Sequence, residues 1–120
     1  MDLTELKEHM EDCSKLVRIS EEYLVKRREC ADNKIRLENI LTAVLPKIRA
    51  IKSSVGYDMS FLILLEEGFM AEEQRKECYG YYRHWKTAEA HYKGLEKIMD
   101  ALRTKISFAQ SYMKYIEEND

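Results

Sequence analysis

CYGYYRHWKTAEAHYKGLEKIMDALRTKISFAQSYMKYI, residues 78–116, decides the fold. Its apolar positions are Cys78, Tyr81, Trp85, Ala88, Tyr92, Leu95, Met99, Leu102, Ile106, Ala109, Met113 and Ile116, which advance by alternating steps of three and four. That rhythm puts one side chain per turn on a single stripe of a helix that supercoils around a partner. No proline interrupts it. Extended to residues 70–117, the pattern predicts a helix of roughly 45 residues, close to 70 Å long.

Working outward, Leu37, Leu41, Val44, Ile48, Ile51 and Val55 keep the same rhythm, and Leu3, Leu6, Met10, Cys13, Leu16 or Val17, Tyr23 or Leu24, and Cys30 lead into it. The spacing predicts a first helix over 3–54. Carried backwards, its seam passes through Ser20, Arg27 and Lys34, polar residues able to fix register against a partner. Pro46 removes one backbone donor inside this helix. Because the stripe holds its phase on both sides, one helix kinked near Pro46 is expected instead of two. Gly56 sits in the first clear turn. Asp58 or Ser60 can cap a short helix over 60–67, in which Phe61-Leu-Ile-Leu-Leu65 is apolar nearly all round and must be buried, across the open end of the hairpin or in another subunit. Two long helices joined by a short connector run antiparallel. The expectation is therefore all-α, a coiled-coil-like helical hairpin forming one domain and completed by oligomerisation.

Composition limits the function classes. A chain of 120 residues, 45% hydrophobic and 35% charged, builds a small core, and long thin helices make subunit association a natural way to enlarge it. The net charge of −2 gives no bulk attraction to nucleic acid, so binding would need a local basic patch. Cys13, Cys30 and Cys78 are odd in number and widely spaced, and read as reduced core thiols. The opening residues lack the pattern of a signal segment, and the longest apolar run is far short of the about 20 residues of a membrane span, so a cytoplasmic location is expected.

Two surfaces of the last helix carry the functional reading. One column holds Gly80, Gly94 and Ala101, small residues that let another helix approach; with Phe61, Leu62 and Leu65 it forms the expected homo-oligomer interface. The opposite flank carries Arg75, Lys76, Arg83, Lys86, Lys93 and Lys97 with Tyr79 and Tyr82 interleaved. Cations on phosphates and rings against bases are how single-stranded nucleic acid is held. A charged face solvated in the ordinary way is the bland alternative. Catalytic signals are missing. His84 and His91 stand two turns apart, the i, i+4 pairing of a helical metal site is not found, adjacent carboxylates such as Glu66-Glu67 diverge, and there is neither a phosphate loop nor a nucleophile elbow. No enzyme, metal or cofactor is expected.

The run Met99-Asp-Ala-Leu-Arg-Thr-Lys-Ile106, in its aromatic-rich helix, resembles the closing segment of the small helical recombination mediator proteins of T4-type phages. That resemblance implies a homo-oligomer that binds single-stranded DNA and helps load a recombinase onto strand coated by a single-strand binding protein. It covers about a quarter of the chain, adds Arg103 and Lys105 to the candidate DNA contacts, and does not reach the first fifty residues. Competing readings are a protein–protein adaptor or inhibitor, docking through the Pro46 region and Phe61–Leu65, and a coiled-coil spacer.

Overall fold

A computed structural model describes residues 2–51, 56–66, 68 and 70–119, and all its regular structure is helical: α1 Leu3–Ile51, α2 Tyr57–Leu64 and α3 Glu72–Asn119. α1 and α3 pack against each other as the two arms of the expected all-α hairpin. The chain divides into two compact units, one of Met1–Lys26 with Ala90–Asp120 and one of Arg27–Glu89.

The start of α1 is set by a reciprocal cap. The Glu5 amide donates to Asp2 Oδ1 at 2.7 Å and the Asp2 amide donates to Glu5 Oε2 at 3.3 Å, satisfying two donors that a helix end otherwise leaves bare. α1 then runs through Pro46 as one helix, ending at Ile51 within the described residues. Residues 52–55, which complete its expected 3–54 span, lie outside them.

α2 begins three residues earlier than expected. Gly56, extended at φ −68° and ψ 160°, is its N-cap, and no side chain caps it. Asp58 and Ser60 stand inside the helix, so neither is the cap. Ser60 instead turns its hydroxyl back onto the Gly56 carbonyl at 3.0 Å, an alternative that short hydroxyl side chains always have. Gly68 follows at φ +100°, a left-handed conformation that favours glycine, and breaks the chain before α3. Glu72 and Glu73 open α3, where negative charge suits the amide end of the helix.

In the Arg27–Glu89 unit the buried side chains are Cys30, Leu37, Leu41, Ile48, Ser60, Phe61, Ile63, Leu64, Cys78, Trp85 and Ala88. Phe61, Ile63 and Leu64 of the α2 run are thus covered by their own chain while Leu62 stays exposed, and Phe61 meets the Trp85 ring edge-on at 5.2 Å. In the other unit Ile19, Leu95, Met99 and Leu102 form the core, with Leu16 and Tyr23 packed against it. Tyr23 and Tyr92 cross as a T-shaped pair at 5.9 Å.

The α3 stripe is buried or half-buried along its whole length, as its rhythm requires. The early part of α1 differs. Leu3, Leu6, Met10, Val17 and Leu24 are exposed; of the expected positions Leu16, Tyr23 and Cys30 lie on the seam, and Ile19 joins them. A helix of 3.6 residues per turn drifts about 20° per heptad against a strict seven-residue repeat. Carried back from Ile48 and Leu41, that drift buries Ile19 and half-buries Lys26, leaving Ser20 half-buried at the edge of the seam and Arg27 exposed. Leu37→Ala should therefore cost about 2 to 5 kcal/mol of stability in urea unfolding, whereas Ile35→Ala, at an exposed position two residues away, should stay within about 0.5 kcal/mol. Equal losses would contradict this seam.

Candidate nucleic-acid interface

On α3, residues at i, i+3, i+4 and i+7 share a face. Tyr79, Tyr82, Arg83 and Lys86 are such a set, and Arg75 and Lys76 extend it one turn towards the N-terminus. The Arg83 guanidinium lies over the Tyr79 ring at 5.9 Å, and the Lys86 ammonium lies 6.0 Å from the Tyr82 ring centre and 4.2 Å from that of Trp85. Tyr79 is 51% exposed; Tyr82 is half-buried and meets Trp85 edge-on at 5.7 Å. The anchoring tryptophan is itself only 5% exposed.

α1 adds cations at two aromatic rings of α3, Lys34 at Trp85 beside the face and Arg36 at Tyr81, which, two residues from Tyr79, is turned about 200° away from it. Lys34 sets its ammonium 5.6 Å from the Trp85 ring centre, and Arg36 sets its guanidinium 5.7 Å from that of Tyr81. Lys34 was expected as a polar interruption of the seam; it sits half-buried with its charge against an aromatic face. No sequence pattern within α1 announces this, because the partner rings are on another helix.

Acids temper the face. Lys76 pairs with Glu72 at 3.6 Å, Lys86 with Glu89 at 3.8 Å and Lys34 with Glu38 at 3.9 Å. Glu77 accepts a 2.7 Å hydrogen bond from the Tyr81 hydroxyl, and that bond, ahead of burial, raises the tyrosine's pKa. Burial first and the Glu77 charge second raise that of Cys78, which keeps the thiol neutral in the core. Exposed ion pairs of this kind are worth at most about 1 kcal/mol and exchange readily for a phosphate partner.

The remaining candidates fall in the other unit. Lys93 and Lys97 are exposed on α3. Arg103 bonds Asp100 at 3.4 Å, one turn away on its own helix. Lys105 donates to Glu8 Oε1 and Asp12 Oδ2 on α1, both at 2.9 Å, and so serves as a tie between the helices. His91 makes a second tie, its Nε2 3.0 Å from Glu22 Oε1. The resemblance run thus gives one arginine paired along α3 and one lysine engaged across to α1.

Gly80 and Gly94 have open space where a Cβ would stand, so among the described residues nothing packs against these two glycines, and Gly94 and Ala101 are exposed. Of the candidate interface residues in α2 and its end, Phe61 is 1% exposed and buried in its own chain; Leu62 is exposed and Leu65 half-buried. His9 and Cys13 do stand four residues apart, a spacing the sequence reading passed over, with Nε2 3.8 Å from Sγ. Among the described residues no group of three His, Cys, Asp or Glu side chains is gathered as a metal site, and no helix is long and apolar enough to cross a membrane.

The Asp12 and then the Glu8 hydrogen bonds raise the Lys105 pKa above its ordinary value. A lysine with a raised folded-state pKa stabilises the fold in full below about 10.4 and loses that contribution only as pH climbs through the folded value. Lys105→Met should therefore lower the unfolding midpoint equally at pH 6 and pH 9, and less in 1 M salt. A deficit that disappears between those two pH values would contradict the tie.

No family model, no curated protein and no solved structure matches this chain.

Proposed function

We propose that this protein is a non-catalytic, self-associating accessory protein of DNA recombination or replication, of phage type, which binds single-stranded DNA and a partner protein in the cytoplasm. One observation carries the reading: the half-exposed Tyr79 ring with Arg83 over it, and Tyr82 with Lys86 over it, on one continuous face of α3. The rings offer stacking surface and the cations stand beside them at the distance a phosphate would use. Magnitudes favour exchange. A cation–π contact at an exposed site is worth about 0.5 to 1 kcal/mol, whereas a base stacked on an aromatic side chain is worth about 1 to 3 kcal/mol. A base therefore gains more from Tyr79 than Arg83 loses, and the released guanidinium is next to the incoming phosphate.

A second reading, a protein–protein adaptor, is favoured by a groove of about 490 Å³ beside Pro46, lined by Asn39, Ile40, Ala43, Val44, Lys47, Met70 and Gln74. It predicts no oligonucleotide binding.

Fluorescence anisotropy with a labelled single-stranded oligonucleotide separates the two. Arg83→Glu with Lys86→Glu should weaken binding at least tenfold, similarly across base sequences, because phosphate contacts carry no sequence information. Tyr79→Ala should cost about 1 to 3 kcal/mol of affinity with little change in salt slope. The wild-type slope should be shallow, at about 0.7 per phosphate, because the acids on the same helix leave only a few phosphates to be neutralised. No binding by the folded wild type at low salt would overturn the DNA reading.

A further inference from the structure

His9 and Cys13 stand on successive turns of α1, and both are half-buried. Residues four apart share a helix face, and here the ring Nε2 is 3.8 Å from Sγ. Zinc holds a thiolate sulfur at about 2.3 Å and an imidazole nitrogen at about 2.0 to 2.1 Å, which at a tetrahedral angle sets the two ligand atoms about 3.5 to 3.6 Å apart. The pair is within a few tenths of an ångström of that separation. The helix backbone itself brings the two side chains together, so the geometry is in place before any ion arrives.

The surroundings favour a cation. Residues 2–13 hold five acids, Asp2, Glu5, Glu8, Glu11 and Asp12, against Lys7 alone, and carboxylates gathered on one segment raise the local concentration of cations. Lys105 offsets only part of this charge through Glu8 and Asp12. Nδ1 of His9 is buried without a hydrogen-bond partner, a condition that folded proteins tolerate mainly where water or an ion completes a site. His9 lines a cleft of about 320 Å³ with Phe108, Ala109 and Tyr112 of α3. Coordination through Nε2 puts the ring proton on Nδ1, and the cleft has room for the acceptor that proton needs. The other thiols and the engaged imidazole compete poorly: Cys30 and Cys78 are buried in the core, and His91 is tied to Glu22.

We infer that His9 and Cys13 form a two-point chelate for a thiophilic divalent cation of the zinc class. Water takes the remaining positions, since no third His, Cys, Asp or Glu is gathered with the pair among the described residues. On binding, the Cys13 S–H bond breaks and its proton passes to solvent. The thiolate and the Nε2 lone pair each donate to the ion, and no electron is transferred. Thiolate with imidazole selects zinc-like ions over magnesium and calcium, which take oxygen donors. Both ligands must lie on one helical face, so the ion binds the folded chain and holds the first turns of α1. The site is in the other unit from the Tyr79 and Arg83 face and is independent of the DNA reading.

Isothermal titration of the reduced, metal-free chain with Zn²⁺ tests it. One ion per chain should bind in the micromolar range, releasing a proton that is read by repeating the titration in buffers of different ionisation enthalpy. The thermal unfolding midpoint should rise with Zn²⁺ and not with Mg²⁺. His9→Ala and Cys13→Ser should each weaken binding at least tenfold and abolish that rise, with helicity confirmed by circular dichroism, whereas His84→Ala should bind as wild type does. Cys13→His should restore what Cys13→Ser loses, because two histidines four apart on a helix also chelate zinc; a purely structural role for the thiol would give no such rescue. No binding by the wild type, binding that survives either His9→Ala or Cys13→Ser, or failure of Cys13→His to restore it would overturn the inference.

Discussion

The alternating three- and four-residue step of α3 is the constraint on which everything else rests. It presents one narrow row of side chains, from Cys78 to Ile116, and α1 must meet that row turn by turn. Burial follows the row so closely that the side chains carrying charge and aromatic surface are assigned by exclusion: what is not on the stripe faces outward. Tyr79 and Arg83 are available because Cys78 and Trp85 are not. Trp85 has a double role, closing the core against Phe61 while its ring accepts the ammonium groups of Lys34 and Lys86.

Polar ties refine a register that apolar packing alone leaves loose. A thin seam can slide by a heptad at modest cost, since one heptad's apolar residues resemble the next. Lys105 with Glu8 and Asp12, and His91 with Glu22, are specific to one alignment. As exposed pairs they add little energy; their value is in the alternatives they penalise. Of the positions where the resemblance to phage recombination mediators would put DNA contacts, Lys105 is held across the helices by Glu8 and Asp12, and Arg103 pairs with an acid one turn away as Lys76 and Lys86 do; what the face nearer the start of α3 adds is the Tyr79 and Tyr82 rings beside its cations.

Legibility in the sequence varied with how many apolar stripes a helix carries. The core stripe of α3 stood out because its steps persist over more than five heptads, and the hairpin followed from it. The first part of α1 holds two interleaved stripes, Leu16, Ile19 and Tyr23 on one and Leu3, Met10 and Val17 on the other, and a list of apolar positions merges them. Only contact with Leu95, Met99 and Leu102 on α3 distinguishes which is core. The cap of α2 was misplaced for a related reason: a serine hydroxyl can start a helix or bond back within one, and the choice at Ser60 depends on how its neighbours Phe61 and Leu64 are buried. Lys34 reached the Trp85 ring and Arg36 the Tyr81 ring from a helix distant in sequence, which no local pattern encodes.

The antiparallel seam is the claim on which these inferences depend, and ring-to-ring magnetisation transfer reads it directly. Nuclear Overhauser contacts should link the Tyr23 ring to the Tyr92 ring, with centres 5.9 Å apart, and the Phe61 ring to that of Trp85, with centres 5.2 Å apart. They should persist in a sample diluted until the protein is monomeric. Loss of the Tyr23–Tyr92 contact in a monomer that remains helical would contradict the alignment of α1 on α3.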